Sequence, residues 1–178
     1  MTRFLSLGLI MAILFLGGCD YRVDNPDYEY EEGANFSPQH IIEQLVSYRE
    51  EGFELINDTP FASHAIEDAW ISIWVSENAA DDYRDIRLDY EGSGAEVPVG
   101  SIIIREVKDS SGDIMKLTVI ARAPDGAHPT AGDLWFATAT ADGIVEDINH
   151  SGFLSTCAGC HVTRASDGFL FGTPTNSL

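Results

Sequence analysis

The sequence predicts an α+β domain carried mainly by antiparallel sheet, with helices at its start. Three observations lead there. Short runs of β-branched and aromatic residues between positions 69 and 145 are separated by turn residues, the pattern of hairpins rather than of long crossovers. Helical periodicity falls mostly before those runs. The middle of the chain lacks the long 3.6-residue repeat that a helical bundle requires.

The elements follow in order. Ser37-Pro38 supplies an N-cap and an N1 proline for a helix with Ile41, Ile42, Leu45 and Val46 on one face and Gly52 as its stop. Residues 69–75 alternate Trp70, Ser72 and Trp74 against Ile71, Ile73 and Val75, which predicts a strand covered on both faces. Asn78 is positioned to cap a short helix through Ala79, Ala80 and Tyr83. Residues 101–108 and 115–121 read as a hairpin about Asp109-Ser110-Ser111-Gly112. After a Pro/Gly-rich loop, residues 134–138 form a further strand, and Asp142-Gly143 turns the chain toward Ile144-Val145. At least four antiparallel strands result.

Ahead of this domain lies a different kind of sequence. A basic start at Met1-Thr2-Arg3 precedes an apolar run over 4–16, and Leu16-Gly17-Gly18-Cys19 closes it with small residues before a cysteine. The run is short for a bilayer span, and its ending is similar to a bacterial lipobox, with cleavage after residue 18 and acylation of Cys19. Residues 1–18 are then a lipoprotein signal peptide, 19–35 an acidic tether without apolar period, and 36–178 the domain. The expected location is that of an exported bacterial lipoprotein, anchored in a membrane on its periplasmic side.

Charge narrows the partners. With 10 basic and 29 acidic residues the formal net charge is −19, which repels phosphate and argues against nucleic acid. An acidic exterior keeps a protein solvated, and it also suits docking of a basic redox partner.

The motif that carries chemistry is Cys157-Ala158-Gly159-Cys160-His161. Two thiols three residues apart can add across the two vinyl groups of one porphyrin, and the histidine that follows supplies an imidazole nitrogen to the iron. A zinc half-site would need a second ligand pair, and Cys19 is the one other cysteine in the chain. A thioredoxin-like dithiol would need a strand–CxxC–helix unit in a βαβ fold. The expectation is one covalent haem c near the C-terminus, with thioethers at Cys157 and Cys160 and His161 as axial ligand. Only 17 residues follow His161, none of them methionine, and Met115 lies within a predicted strand as a core residue rather than a ligand. His64, His128 and His150 are candidate sixth ligands or proton donors. Phe53, Phe61, Trp70, Trp74, Trp135 and Phe136 are candidate pocket lining, and Phe153, Leu154, Phe169 and Phe171 lie near the motif. Glu106, Glu146 and Asp147 are candidate proton-handling carboxylates.

Several stretches, in order, resemble the cytochrome P-460 family, which includes the cytochromes c′-beta. They are 74–83 (WVSENAADDY), 97–106 (VPVGSIIIRE), 132–137 (GDLWFA), the CxxCH motif, and 167–171 (DGFLF). The resemblance spans roughly residues 40 to 173. It implies an antiparallel sheet flanked by helices, a homodimer, and one haem bound on the histidine side only. The open side would take nitric oxide or a related small nitrogen ligand; the alternatives are hydroxylamine oxidation and plain electron transfer, each as a haem oxidoreductase activity or module. P-460 proteins join a lysine to the porphyrin, but Arg105 stands at that position here, followed by Glu106. A guanidinium stays protonated and is a poor nucleophile toward carbon. Arg105 is therefore a distal candidate, to neutralise a haem carboxylate or donate to a bound ligand. Lys108, three residues on, falls on the opposite face of a regular strand unless a bulge shifts the register.

The lipobox makes a testable prediction. The full chain partitions into the detergent phase of a phase-separating extract, and Cys19→Ala moves it to the aqueous phase. A Cys19→Ala chain that stayed membrane-bound would refute acylation.

Overall fold

The computed structural model describes residues 36–88, 92, 94–147 and 155–174. Cys19, the signal and tether segments, His150, Phe153 and Leu154 lie outside them.

Seven antiparallel strands form one sheet: β1 (Phe53–Leu55), β2 (Phe61–Ala62), β3 (Trp70–Ser76), β4 (Ile102–Lys108), β5 (Ile114–Arg122), β6 (Leu134–Ala139) and β7 (Val145–Asp147). Their order is β1-β3-β4-β5-β6-β7, with β2 also pairing β3. The β4–β5 hairpin turns through Asp109, whose carboxylate accepts from the backbone N–H groups of Ser111 and Asp113. The short strands β1 and β2 have no period of their own and exist as pairings on β3. Asn57 joins them: it is fully buried, accepts from the Ile73 N–H at 2.7 Å, and donates to the Ile71 carbonyl at 3.0 Å. Its amide thus fills the ladder where the backbone departs from it.

Register sorts side chains onto two faces. Ile71, Ile73 and Val75 align with Val107, Arg105 and Ile103, then with Thr118 and Ile120, then with Phe136. This first face is covered by α2 (Ala80–Arg84), α3 (Ser155–His161) and, after the 3-10 turn Val162–Asp167 that continues α3, by Phe169 and Leu170. The second face carries Trp74, Ile102, Ile104, Glu106, Leu117, Val119, Trp135 and Ala137. It is covered by α1 (Pro38–Gln44) and the turns after it, through Ile41, Leu45 and Tyr48. The α+β, mainly antiparallel architecture is as expected, with the two early helices on opposite faces.

Local expectations fare unevenly. Ser37 caps α1 and accepts from the His40 N–H. The helix ends at Gln44, so the periodicity does not carry to Val46, which is 75% exposed. Asn78 does not cap α2; it lies inside a 3-10 turn, Glu77–Ala79, and its amide reaches Ser101. Met115 is exposed rather than a core residue, because it is the residue left unpaired where the β4–β5 register shifts beside Lys108.

A charged cluster gathers on the second face around one buried glutamate. Glu106 is 1% exposed and accepts from Tyr48 Oη at 2.7 Å, Arg49 Nε at 2.7 Å and Lys108 Nζ at 2.8 Å. Burial alone pushes its carboxyl pKa upward, but the three donors outweigh burial and hold it below the ordinary glutamate value. A depressed carboxyl stabilises the fold above its unfolded pKa and loses that contribution as pH falls through the lower folded value. Glu106→Gln is expected to cost about 2 kcal/mol at neutral pH, since it removes the buried charge that Tyr48, the half-exposed Arg49 and Lys108 all bond. Urea midpoints between pH 3 and 7 check this: the gap between wild type and variant should close toward the acid end. A gap that stayed constant would refute the linkage.

Candidate functional site

The CxxCH motif lies on α3, packed on the first face of the sheet. Residues three and four apart share one side of a helix, so Cys157, Cys160 and His161 project together. Neither thiol is in a disulfide; Cys157 is half-buried and Cys160 exposed.

His161 is fixed from several directions. Its Nδ1 lies 2.6 Å from the Phe169 carbonyl oxygen, which can only accept, so Nδ1 carries the proton and Nε2 holds the lone pair. The Phe136 ring lies 5.2 Å from the imidazole and the Phe171 ring 5.0 Å away, edge-on. Burial pushes the imidazole pKa down; the Phe169 contact opposes this and the nearby Arg105 charge reinforces it. The ring is thus held neutral, with one nitrogen available as a ligand.

The carbonyl that does this work is set by unusual backbone. Gly168 (φ 60°) and Phe169 (φ 63°) are both left-handed, and the Phe169 N–H returns to the Arg164 carbonyl at 2.9 Å. A phenylalanine in that region is strained, and such strain persists only where surrounding contacts over-determine it. Gly132 supplies one contact: a Cβ there would sit 2.2 Å from the Phe169 ring, and its own φ is +65°. Asp167, fully buried, pairs with Arg164 at 3.2 Å and accepts from the Gly92 N–H at 2.9 Å.

Arg105 projects from β4 onto this same face. Its guanidinium donates to Ser63 Oγ at 2.9 Å and has no carboxylate partner among the described residues. Burial pushes its pKa down, with the neighbouring Tyr83 opposing that shift. Tyr83 donates to the Phe171 carbonyl at 2.5 Å, and burial raises its own pKa.

The structure divides the candidate residues. Arg105, Cys157, Cys160, His161, Phe61, Phe136, Phe169 and Phe171 belong to the α3 side of the sheet. Phe53, Trp74 and Trp135 pack on the other face, and Trp70 is there too and 44% exposed, so none of the four lines the His161 site. Strand alternation separates Trp135 from Phe136 and Trp74 from Ile73. Glu106 faces away from His161 for the same reason. Lys108 Nζ is held by Glu106 and by Ser72 Oγ at 2.8 Å on that far face, despite the register shift beside it. Glu146 and His64 are exposed, and His128 is buried in the β5–β6 loop with its N–H on Asp133. Sequence reasoning did not single out Ser63, Tyr83, Gly132 or the role of the Phe169 carbonyl. Only the Asp-Gly at 167–168 signalled a turn there.

The donor set fits a covalently attached haem. Two thiols and an imidazole with a lone pair share one helix side, set against an apolar wall. Among the described residues, no group of three or more His, Cys, Asp or Glu is arranged to hold a metal ion by itself.

Gly132→Ala tests how Phe169 is held. The left-handed φ and the ring clash together should cost about 2–4 kcal/mol by urea denaturation. Adding Phe169→Ala removes the clash but not the φ penalty, so the double variant should recover part of the loss. A single variant as stable as wild type would refute the close packing.

No protein-family model matches the chain, and no curated protein is detectably similar to it.

Proposed function

We propose that the chain is an exported, membrane-tethered c-type cytochrome of the cytochrome P-460 kind. It would hold one haem through Cys157, Cys160 and His161 near its C-terminus and bind nitric oxide or a related small nitrogen ligand. The observation that carries this reading is the His161 contact: its Nδ1–H is committed to the Phe169 carbonyl, which leaves Nε2 free beside two thiols. Bound there, haem would supply an iron with an open coordination position for a small ligand.

The chain's own residues supply the rest. Phe136 and Phe171 hold the imidazole plane and keep water from it. Arg105, kept cationic in an apolar wall and restrained by Ser63, is a hydrogen-bond donor without an anion of its own. It suits a ligand that develops negative charge. The reading favours ligand binding over hydroxylamine oxidation because Lys108 is tied to Glu106 on the far face, where it cannot reach a haem beside His161. A lipid tether at Cys19, periplasmic placement and a homodimer complete the proposal.

Optical spectra of the exported, purified protein test it. The expected result is a covalent c-type pigment, high-spin when ferrous, whose spectrum changes with nitric oxide. Cys157→Ala with Cys160→Ala should leave pigment that acidic organic solvent extracts, and His161→Ala should change the spin state while the pigment stays attached. Colourless protein would overturn haem binding. A low-spin spectrum indifferent to nitric oxide would favour electron transfer, and a strongly red-shifted Soret band would favour a cross-linked, hydroxylamine-oxidising centre.

A further inference from the structure

A cleft of about 470 Å³ opens on the second face of the sheet, between α1, β1 and the start of β4, away from His161. None of its described lining residues is Asp, Glu, Lys or Arg, although such residues make up 22% of the chain. A phosphate or carboxylate ligand would want a cation there, and a divalent metal ion would want carboxylates. The occupant that this lining suits is neutral.

The lining is divided between apolar and polar groups. Phe36, Phe53 and Ile102 supply apolar surface, Phe36 and Ile102 each being 5% exposed at the bottom. Ser37, His40 and Asn78 stand exposed at the rim, and Gln44 is half-buried. Ser76 is buried at the bottom, where its Oγ accepts from the Ile102 N–H at 2.9 Å and keeps its own hydrogen to donate. Such a cleft fits a flat ring with an oxygen at each end: the ring meets the phenyl groups, and the oxygens meet hydroxyl, amide and imidazole. A sugar or other polyol would press hydroxyls against Phe36, Phe53 and Ile102 with nothing to bond them.

Two placements tie the cleft to the chemistry of the other face. Phe36, in its wall, is the residue at which the proposed tether, residues 19–35, joins the domain. Ile102, in its floor, precedes Ile103, which faces the opposite side and pairs with Ile120. Ile120 pairs with Phe136, whose ring lies 5.2 Å from the His161 imidazole. From β4 to β6 is two strand spacings, about 10 Å, and one layer of sheet separates the faces.

We propose that this cleft binds a membrane quinol, which reduces the haem across the sheet. The proposal rests on the haem reading above and adds the electron donor that this reading lacks. Oxidation of a quinol to its quinone breaks two O–H bonds and releases two electrons and two protons. Each ferric haem takes one electron, so one quinol reduces two copies of the protein, and the protons leave through the open mouth of the cleft.

Anaerobic mixing of the purified ferric holoprotein with decyl-benzoquinol tests the site, with ferrous haem read by its absorbance. The expected result is a reduction rate that saturates with quinol and ends at two haems reduced per quinol. Gln44→Leu and His40→Leu should each slow it about tenfold at low quinol, the loss of one hydrogen bond to the ring. Val99→Trp, which fills the cleft from the turn before β4, should abolish saturation. All three variants should keep the wild-type nitric oxide spectrum and full reduction by dithionite, which separates a blocked cleft from a damaged fold. Reduction that never saturates, or that the three variants leave unchanged, would mean direct attack at the haem edge and would overturn the cleft. Ferric wild type that dithionite reduces and the quinol does not would also overturn it, leaving the haem reading intact. Wild-type protein without covalent haem would remove that reading and the proposal with it.

Discussion

One hydrogen bond governs the site: the His161 Nδ1–H donated to the Phe169 carbonyl. An imidazole can offer a ligand nitrogen in two ways, and a carbonyl on one side removes the choice. The bond exists only because the chain turns back eight residues later through two left-handed residues, Gly168 and Phe169. Their strain is held by packing from elsewhere: Gly132 makes room for the Phe169 ring, and Asp167 ties the turn to Arg164. The tautomer of one histidine thus depends on a glycine in the β5–β6 loop. This is the physical sense in which the sheet and the C-terminal segment form one unit.

The sheet's two faces divide the chemistry. On the α3 side Arg105 has no carboxylate partner among the described residues and stands in a largely apolar setting, where a buried charge is costly. The α1 side does the opposite: Glu106 takes up Tyr48, Arg49 and Lys108 until its donors are satisfied. With both oxygens of Glu106 taken up by these donors, the carboxylate acts as a structural anchor for the cluster. It also withdraws Lys108, a nucleophile by residue type, from the face where a nucleophile would matter. Adjacent strand residues, Arg105 and Glu106, therefore belong to different halves of the molecule.

How much was legible follows from which signals are local. The strands β3 to β6 were readable because alternation and β-branched runs are properties of consecutive residues, and the Asp-rich hairpin turn and the Ser37 cap are equally short-range. The strands β1 and β2 were not, since three and two residues hold no period and owe their conformation to β3. The CxxCH motif was legible for the same reason as the hairpin: five consecutive residues hold all of it.

What the sequence alone determined is the α+β class, the main strands, and two thiols and a histidine within five residues; that these five lie on a short helix was decided by the structure. Tertiary structure decided which aromatics meet that histidine, which of its nitrogens is free, and that Arg105 stands beside it while Glu106 and Lys108 do not. The reason is separation along the chain. Alternation says that neighbours face opposite ways, but only the packing of α1 and α3 on opposite sides says which way is toward His161. A hydrogen bond between a ring and a distant carbonyl leaves no mark in the residues between them.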